Sequence, residues 1–510
     1  MLLLLLSSAW AGTTTIASPV VDSWFGFAIG GGGDVNDDGY TDLLAGAPGE
    51  NEGYAWVWYG AAEGYAASPD QQLGAGGIGE DFGAGVSNSG DLNGDGVHDA
   101  AVGERSCAGG VYLYMGRHAG LPGNSDHEIA GTDCSSMIGE VFVIAEDLNG
   151  DGFDDLALGS SEAESNAGAV YLIYGGELGV SEAPDFIIAN DDADDRLGSS
   201  LDSLGDIDGD GYGDLAFGSP GDDGGAENGG RVDLLMGGTT PSAGTSLLGD
   251  EADGGLGTSL ARLGDLDQDG ATDVAVGIPY ANRRAGQVLI VTFDGADTVE
   301  VTTVDGAEES SAFGDAVAGA GDVNADGYDD LLIGARGAGR GDGAVHLILG
   351  ASGGVAASSE RVWKGVAGSD QTLGFDLAGL GDANDDGYDD VAWSALGDAV
   401  GTGALTVRWG EADADADGWG AREDCDEADG AIHPDAEDDP SDGVDADCDG
   451  TAESASDSGS DTAADTAADT ASDTGGAKTP VTCACASGGR GLGGWAGLAA
   501  ALGLLRRRRA

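Results

Sequence analysis

A nine-residue acidic pattern recurs seven times along this chain, and it constrains the fold more than any other feature. The pattern is Asp-x-Asx-x-Asp-Gly-x-x-Asp, and its copies begin 56 to 60 residues apart. The copies start at Asp34, Asp91, Asp147, Asp206, Asp265, Asp322 and Asp382. Eight residues before each start, at an offset that never varies, a glycine follows an apolar residue. Seven copies in phase indicate one repeat architecture rather than a set of unrelated turns.

Short apolar and aromatic runs separate the acidic copies, as at residues 54–59, 111–114 and 345–349. Each repeat therefore holds about four strands, which favours a propeller blade over the shorter coil of a solenoid. The last copy ends at Gly410 after three strands, and the strand-like stretch 13–17 precedes the first copy. We expect the N-terminus to supply the missing outer strand, because closure leaves no unpaired edge in the ring. The sequence predicts an all-β, seven-bladed β-propeller over residues 12–410.

The apolar-Gly pair, the acidic loop and a Gly-Ala-Pro stand at fixed offsets, as in Phe25-Gly26, Asp34 to Asp42 and Gly46-Ala47-Pro48. This arrangement resembles the FG-GAP repeats of integrin α-subunit propellers, over residues from about 13 to 410. The resemblance implies a seven-bladed propeller with calcium loops on one face and ligand-binding loops on the opposite face.

The acidic pattern suits a calcium ion, which prefers oxygen ligands. Positions one, three, five and nine offer side-chain oxygens, position seven offers its backbone carbonyl, and glycine at position six allows a sharp turn. An EF-hand needs a Glu at position twelve and flanking helices, and this chain has neither, so β-hairpin calcium loops are predicted. About seven Ca²⁺ ions are expected in the propeller. The predicted ligands are Asp34, Asn36, Asp38, Tyr40, Asp42, Asp91, Asn93, Asp95, Val97, Asp99, Asp147, Asn149, Asp151, Phe153, Asp155, Asp206, Asp208, Asp210, Tyr212, Asp214, Asp265, Asp267, Asp269, Ala271, Asp273, Asp322, Asn324, Asp326, Tyr328, Asp330, Asp382, Asn384, Asp386, Tyr388 and Asp390.

Charge narrows the possible partners. The 93 Asp and Glu residues against 19 Lys and Arg leave a formal charge of −74, which excludes nucleic acid as a partner. The five histidines show neither a zinc spacing nor a Ser/His/Asp order, so the chain is interpreted as a binding protein and not an enzyme. Its expected ligand is an extracellular protein or polysaccharide. Two alternatives stay open: a propeller-scaffolded hydrolase or lyase acting on polysaccharide, and a purely structural envelope protein.

Five arginines fall on connections predicted to lie opposite the calcium loops: Arg105, Arg283, Arg284, Arg336 and Arg340. The predicted propeller has only twelve basic residues, so this is a concentration of positive charge. Guanidinium groups there could bind carboxylate or sulfate groups of the ligand. The alternative is that they pair with acidic neighbours such as Glu104 and Asp342.

The two ends of the chain carry export and anchoring features. Residues 1–11 are an apolar run with an Ala-x-Ala end and are predicted to be a signal peptide, which makes the protein exported and permits disulfides. Disulfides are predicted between Cys107 and Cys134 and between Cys425 and Cys448.

Residues 411–450 resemble small acidic cysteine-containing metal-binding modules of myxobacterial surface proteins, and Asp413, Asp415 and Asp417 look like a further calcium set. A low-complexity linker follows at 451–482. Residues 483–510 pass from a Cys-x-Cys through an apolar run to four arginines, which resembles a myxobacterial C-terminal sorting signal. The resemblance implies a membrane or envelope association through this tail, on the surface or outer membrane of a Gram-negative bacterium; the alternatives are a retained membrane anchor and a secreted protein.

Overall fold

The computed structural model describes residues 12–20, 23–49, 53–74, 81–106, 109–131, 138–181, 183–190, 192–294, 297–368, 371–397 and 403–411 of the 510-residue chain. All of them lie in the first of the chain's two units, Met1–Ala455, and the second unit is Ser456–Ala510.

The described strands form seven four-stranded antiparallel sheets, one for each acidic copy. Blade 1 contains β2 (Ile29–Gly33), β3 (Asp42–Ala47), β4 (Tyr54–Trp58) and β5 (Gln71–Leu73). Blade 2 contains β6 (Phe82–Gly90), β7 (Asp99–Glu104), β8 (Gly110–Tyr114) and β9 (His127–Ala130). Blade 3 contains β10 (Phe142–Ala145), β11 (Asp155–Ser160), β12 (Ala169–Ile173) and β13 (Phe186–Ala189). Blade 4 contains β14 (Ser200–Gly205), β15 (Asp214–Ser219), β16 (Arg231–Met236) and β17 (Ser242–Leu248).

The remaining blades follow the same order. Blade 5 contains β18 (Leu260–Gly264), β19 (Asp273–Ile278), β20 (Gln287–Asp294) and β21 (Asp297–Asp305). Blade 6 contains β22 (Phe313–Gly321), β23 (Asp330–Ala335), β24 (Ala344–Ala351) and β25 (Gly354–Lys364). Blade 7 contains β26 (Leu373–Gly381), β27 (Asp390–Ala395), β28 (Ala404–Arg408) and, from the start of the chain, β1 (Thr13–Ala17). The prediction of an all-β, seven-bladed propeller is confirmed.

The ring closes where the two ends of the propeller meet. Strand β1 pairs antiparallel with β28, from Thr13 opposite Arg408 to Ala17 opposite Ala404. The backbone N–H of Trp409 also donates to the carbonyl of Gly12 at 3.2 Å. The N-terminal strand therefore completes the last blade, as the sequence predicts, and covers an edge that would otherwise be open.

The apolar core lies between the blades. Seven buried clusters are present among the described residues, and each one joins residues of two adjacent blades. The cluster at the closure, for example, packs Phe25 and Trp58 of the first repeat against Leu380 and Leu405 of the last. Each blade thus buries its faces only against its neighbours, which is why the sequence needs the same pattern in every copy.

Contacts between backbones explain two recurrent glycine positions, one invariant and one kept in six of the seven copies. Gly83 follows the buried Phe82 and has φ of +91°, a conformation that side chains rarely adopt. Its carbonyl oxygen would lie 2.0 Å from a Cβ at Gly46, the glycine twelve residues after the first acidic start. Neither Gly83 nor Gly46 tolerates a side chain, because the backbones of neighbouring blades touch there; the last copy has Ser394 at the second position.

Three one-turn segments interrupt the connections between second and third strands: α1 (Ala163–Asn166), α2 (Ala281–Arg284) and α3 (Ala338–Gly341). Each contains residues with positive φ, so none is a regular helix. Within the described ranges, no helix has the length and apolar character needed to cross a membrane.

Candidate metal centres and the opposite face

The seven acidic loops lie at one end of the wheel. Each loop joins the first strand of its blade to the second, as Asp34 to Asp42 joins β2 to β3. Since every blade is antiparallel and repeats the same order, all seven hairpins open on one face, which we name the loop face. The hairpin context predicted from the sequence is confirmed, and the connections between second and third strands lie on the opposite face.

Backbone amides turn the side chains of each loop inward. The position-one carboxylate accepts hydrogen bonds from the N–H of position five at 2.9 to 3.2 Å and from that of position six at 2.7 to 3.0 Å in all seven loops. The position-five carboxylate accepts from the N–H of position seven at 2.8 to 3.2 Å. These bonds give the alternate acidic residues one shared orientation.

Two left-handed residues set the curvature of every loop. Glycine at position six has φ between 88° and 95° in all seven copies, as its predicted role requires. Position four is also left-handed throughout, with φ between 56° and 80°. It holds Gly94, Gly150 and Gly209 in three loops and Asp, Gln or Ala in the others. Sequence reasoning missed this requirement, although the three glycines were a signal for it.

Acidic oxygens converge in the loops that have Asp at position three. In the fourth loop, ligand atoms of Asp206, Asp208 and Asp210 lie within 4.8 Å of one another. Asp265, Asp267 and Asp269 make the same arrangement in the fifth loop. Three carboxylates this close repel one another unless a cation or protons compensate their charge.

The position-nine aspartates are buried anchors of the loops. Each is at most 1% exposed. One oxygen accepts the N–H of position two at 2.8 to 3.1 Å. In six blades the other accepts the N–H of a glycine at or just beyond the end of the third strand, at 2.7 to 2.9 Å, and in blade 5 the hydroxyl of Thr292 takes this place. Position nine therefore ties its loop to the blade. Each oxygen keeps a second lone pair, except the oxygen of Asp390 that also accepts from the Asn384 amide at 3.4 Å.

Burial also changes the acidity of these anchors. Burial raises the pKa of Asp42, Asp99, Asp155 and Asp390 to about 7 and that of Asp330 to about 8. The pKa of Asp214 and of Asp273 rises to about 6 for the same reason. The neighbouring loop carboxylates add to each increase, whereas the hydrogen bonds that the anchor accepts oppose it. A cation in the loop would favour the ionised form.

The five predicted arginines do lie on the opposite face, yet three of them pair with acids. Arg105 contacts Glu140 at 3.0 Å, Arg283 contacts Glu309 at 2.9 Å, and Arg336 contacts Asp315 at 2.6 Å. The sequence left open that the arginines pair with acidic neighbours, and this alternative applies to these three. Their partners differ from Glu104 and Asp342, the two acids that the sequence suggested. The guanidinium of Arg284 lies instead over the ring of Tyr280, 5.1 Å from its centroid, and Arg340 lies in α3.

A cavity of about 730 Å³ opens on this face between blades 4 and 5. Its wall includes Arg196, Arg284, Asn228, Asp253 and Tyr280. The side-chain amide of Asn228 donates to Asp253 at 2.9 Å, which holds that carboxylate in place. Sequence reasoning missed Arg196, because it stands before the first strand of blade 4 and not on the connections that were searched.

Several predicted features fall outside the described residues. They are the signal peptide, the four cysteines Cys107, Cys134, Cys425 and Cys448, the acidic set Asp413, Asp415 and Asp417, the linker and the C-terminal tail. These stay predictions, as do the metal-ligand assignments.

The repeats of this chain are similar to those of known proteins. Five segments match the FG-GAP repeat, at residues 25–58, 139–173, 197–235, 256–291 and 313–348. Integrin alpha-4 of Xenopus laevis is 31% identical over 206 residues, which make up 39% of this chain and 20% of that protein. Integrin alpha-V of Gallus gallus is 33% identical over 210 residues, 38% of this chain and 20% of that protein. A solved structure, BBS1N in complex with ARL6DN soaked with lead, covers 78% of this chain and 96% of its own at 11% identity, with a TM-score of 0.44.

The fold and its repeated loops define a seven-bladed β-propeller with one acidic hairpin in each blade. Five segments of this propeller match the FG-GAP repeat, and part of the chain is similar to integrin α subunits. The shared region spans about a fifth of the length of the two integrin relatives.

Proposed function

We propose that this protein is an exported, calcium-binding surface protein whose propeller binds an extracellular ligand. The convergence of inward-turned acidic oxygens in the loop-face hairpins is the observation that carries this proposal. Positions one, three, five and nine with the carbonyl of position seven supply five oxygens, and Ca²⁺ takes six to eight, with water completing the shell. The anchor aspartates fit this role, because each oxygen, except that one oxygen of Asp390, has a lone pair left after accepting its amide hydrogen bond.

Calcium would act on the structure rather than on a reaction. A divalent ion bound among the loop carboxylates offsets their mutual repulsion and keeps the buried anchors ionised. Because the unfolded chain cannot form these loops, ion binding adds directly to the stability of the folded propeller. The loop face is thus proposed as the stabilising side of the wheel, and this leaves the opposite face for recognition.

The cavity between blades 4 and 5 is the best candidate for the ligand site on the opposite face. Its volume of about 730 Å³ lies within the range of ligand pockets, which is roughly 300 to 1,000 Å³. Arg196 and Arg284 both line it, Arg196 from the start of blade 4 and Arg284 from α2 of blade 5. The two guanidinium groups share the wall with Asp194 and Asp253, which accept hydrogen bonds from the amides of Asn166 and Asn228. The guanidinium groups suit carboxylate or sulfate groups of a ligand, and the two aspartates suit its hydroxyl or amide groups.

The test is binding of the full chain to glycan and peptide arrays in calcium, with an R196S/R284S variant beside the wild type. We expect the double variant to keep the thermal unfolding curve and lose at least about tenfold in affinity for acidic ligands. The R283S variant is the matched control, because Arg283 is the chain neighbour of Arg284 but pairs with Glu309 at 2.9 Å. Equal losses in both variants would mean that only overall charge matters. Unchanged binding in the double variant would place the ligand elsewhere.

A further inference from the structure

Neighbouring loops touch through the eighth residue of the acidic pattern. In four of the seven contacts between adjacent loops, this side chain accepts the backbone N–H of the first aspartate in the preceding loop. His98 accepts from Asp34 at 2.9 Å, and Asp154 accepts from Asp91 at 2.7 Å. The other two acceptors are Asp329 for Asp265 at 2.8 Å and Asp389 for Asp322 at 2.9 Å.

Backbone hydrogen bonds cross the same contacts in the opposite direction. The N–H of His98 donates to the carbonyl of Asp34 at 3.2 Å, and the N–H of Asp154 donates to that of Asp91 at 3.1 Å. Position one of one loop and position eight of the next therefore form a two-bond pair. At the ring closure the link has another form, since the hydroxyl of Thr41 donates to the carbonyl of Leu380 at 2.5 Å, two residues before the seventh loop.

Only the fourth loop lacks a side-chain link of this kind on both sides. Its own position eight is Gly213, whose backbone N–H still donates to the carbonyl of Asp147 in the third loop at 2.8 Å but which has no side chain to accept a bond in return. Position eight of the fifth loop is Thr272, and within the described residues the N–H of Asp206 has no side-chain partner there. The side-chain links therefore run from the fifth loop through the sixth, seventh, first and second to the third, and the fourth loop is the gap in this series of side-chain links.

Residue eight connects the ion site of its own loop to the neighbouring loop. In the sequence it lies between position seven, whose carbonyl is a proposed calcium ligand, and position nine, whose buried carboxylate is another. Its side chain holds the backbone of the neighbour's first ligand. When one loop is ordered around an ion, the residue that orients the neighbouring loop is fixed as well. Binding of an ion at the neighbouring site then loses less conformational entropy.

We propose that the position-eight side chains are positioning residues that couple neighbouring ion sites, so that six loops bind calcium as a linked series and the fourth, which keeps only a backbone bond to the third, is coupled much more weakly. This inference rests on the proposed calcium function. It requires a preserved hydrogen-bond acceptor at position eight and no direct contact between that residue and an ion.

The first test removes one link from the full chain. Calcium titration calorimetry should give about tenfold weaker binding for at least one ion in the D154A variant than in wild type. The D154N variant keeps an acceptor oxygen and should restore the wild-type affinity. If D154A lowers the melting temperature equally in calcium and in chelator and leaves the ion affinities unchanged, the residue is merely structural and the proposal is wrong.

The second test compares whole sites. D91N/D95N disables the linked second loop, and D206N/D210N disables the fourth loop, which lacks the side-chain links. The first variant should lose one ion and weaken others, whereas the second should lose one ion and change the affinities of the rest much less. Identical behaviour of the two variants would overturn the coupling while calcium binding stands. Failure of the wild-type chain to bind Ca²⁺ at all would instead overturn the proposed function.

Discussion

The two faces of this propeller differ in how closely their connections repeat from blade to blade. On the loop face, the carboxylates at positions one, five and nine accept the same backbone hydrogen bonds in all or nearly all blades, and the fourth and sixth residues are left-handed throughout. On the opposite face the connections differ: three contain a one-turn segment, and the one in blade 4 runs over residues 220–230 beside the cavity. A face held by repeated backbone geometry has little freedom to vary. A face held by the strands beneath it is free to acquire a ligand site.

Removing calcium should have the largest effect, and it should act through the loop face alone. Each ion bound at a hundred times its dissociation constant adds about 2.7 kcal/mol to the free energy of unfolding. Several such ions imply that chelation lowers the melting temperature by about ten degrees or more. Scanning calorimetry of the full chain in excess Ca²⁺ and in chelator measures this directly.

A magnesium-only sample is the control for that experiment, since Mg²⁺ prefers a smaller octahedral shell and should stabilise less. Melting curves that coincide in calcium and in chelator would remove the physical distinction between the two faces.

How much the sequence could predict follows the same division. The blades, the closure by residues 13–17 and the hairpin position of the loops were all predictable, because periodic patterns report local geometry and repeat number. The links through His98 and Asp154 were not, because they join residues more than sixty positions apart whose side chains differ. Nor was the pairing of Arg336 with Asp315, since it depends on the register and bulges between β22 and β23 rather than on the repeated pattern.

Within the loop face, position nine and position five should separate structural anchoring from ion binding. In chelator, D99A should lower the free energy of unfolding by about 3 kcal/mol, because the N–H groups of Leu92 and Gly116 lose their buried acceptor. D95A should cost little in chelator, because Asp95 is exposed. In calcium the D95A variant should become clearly less stable than wild type. Urea unfolding in both buffers gives the four differences, and equal losses for D95A in the two buffers would contradict a ligand role for Asp95.

The smallest expected effect concerns a half-buried acid that belongs to no loop. Asp376 lies on β26 and lines the central channel, which the first strands of the blades surround; its carboxylate accepts the N–H of Ile29 at 2.7 Å. Burial raises the pKa of Asp376 from 3.8 to about 7. An acid whose pKa is higher in the folded state contributes stability that is complete below pH 3.8 and is lost as pH rises through about 7.

The D376N variant keeps an acceptor oxygen and carries no charge, so it should be more stable than wild type at pH 8, by about 1 kcal/mol after screening by channel water. Below pH 3.8 the two proteins should unfold together, because the carboxyl group is then neutral in both the folded and the unfolded state. The matching D99N variant should not be more stable than wild type in calcium, because the wild-type Asp99 carboxylate is proposed to face an ion. The carboxylate of Asp376 has only backbone partners among the described residues. A D376N variant less stable than wild type at both pH values would show that the charge on Asp376 is compensated in the fold.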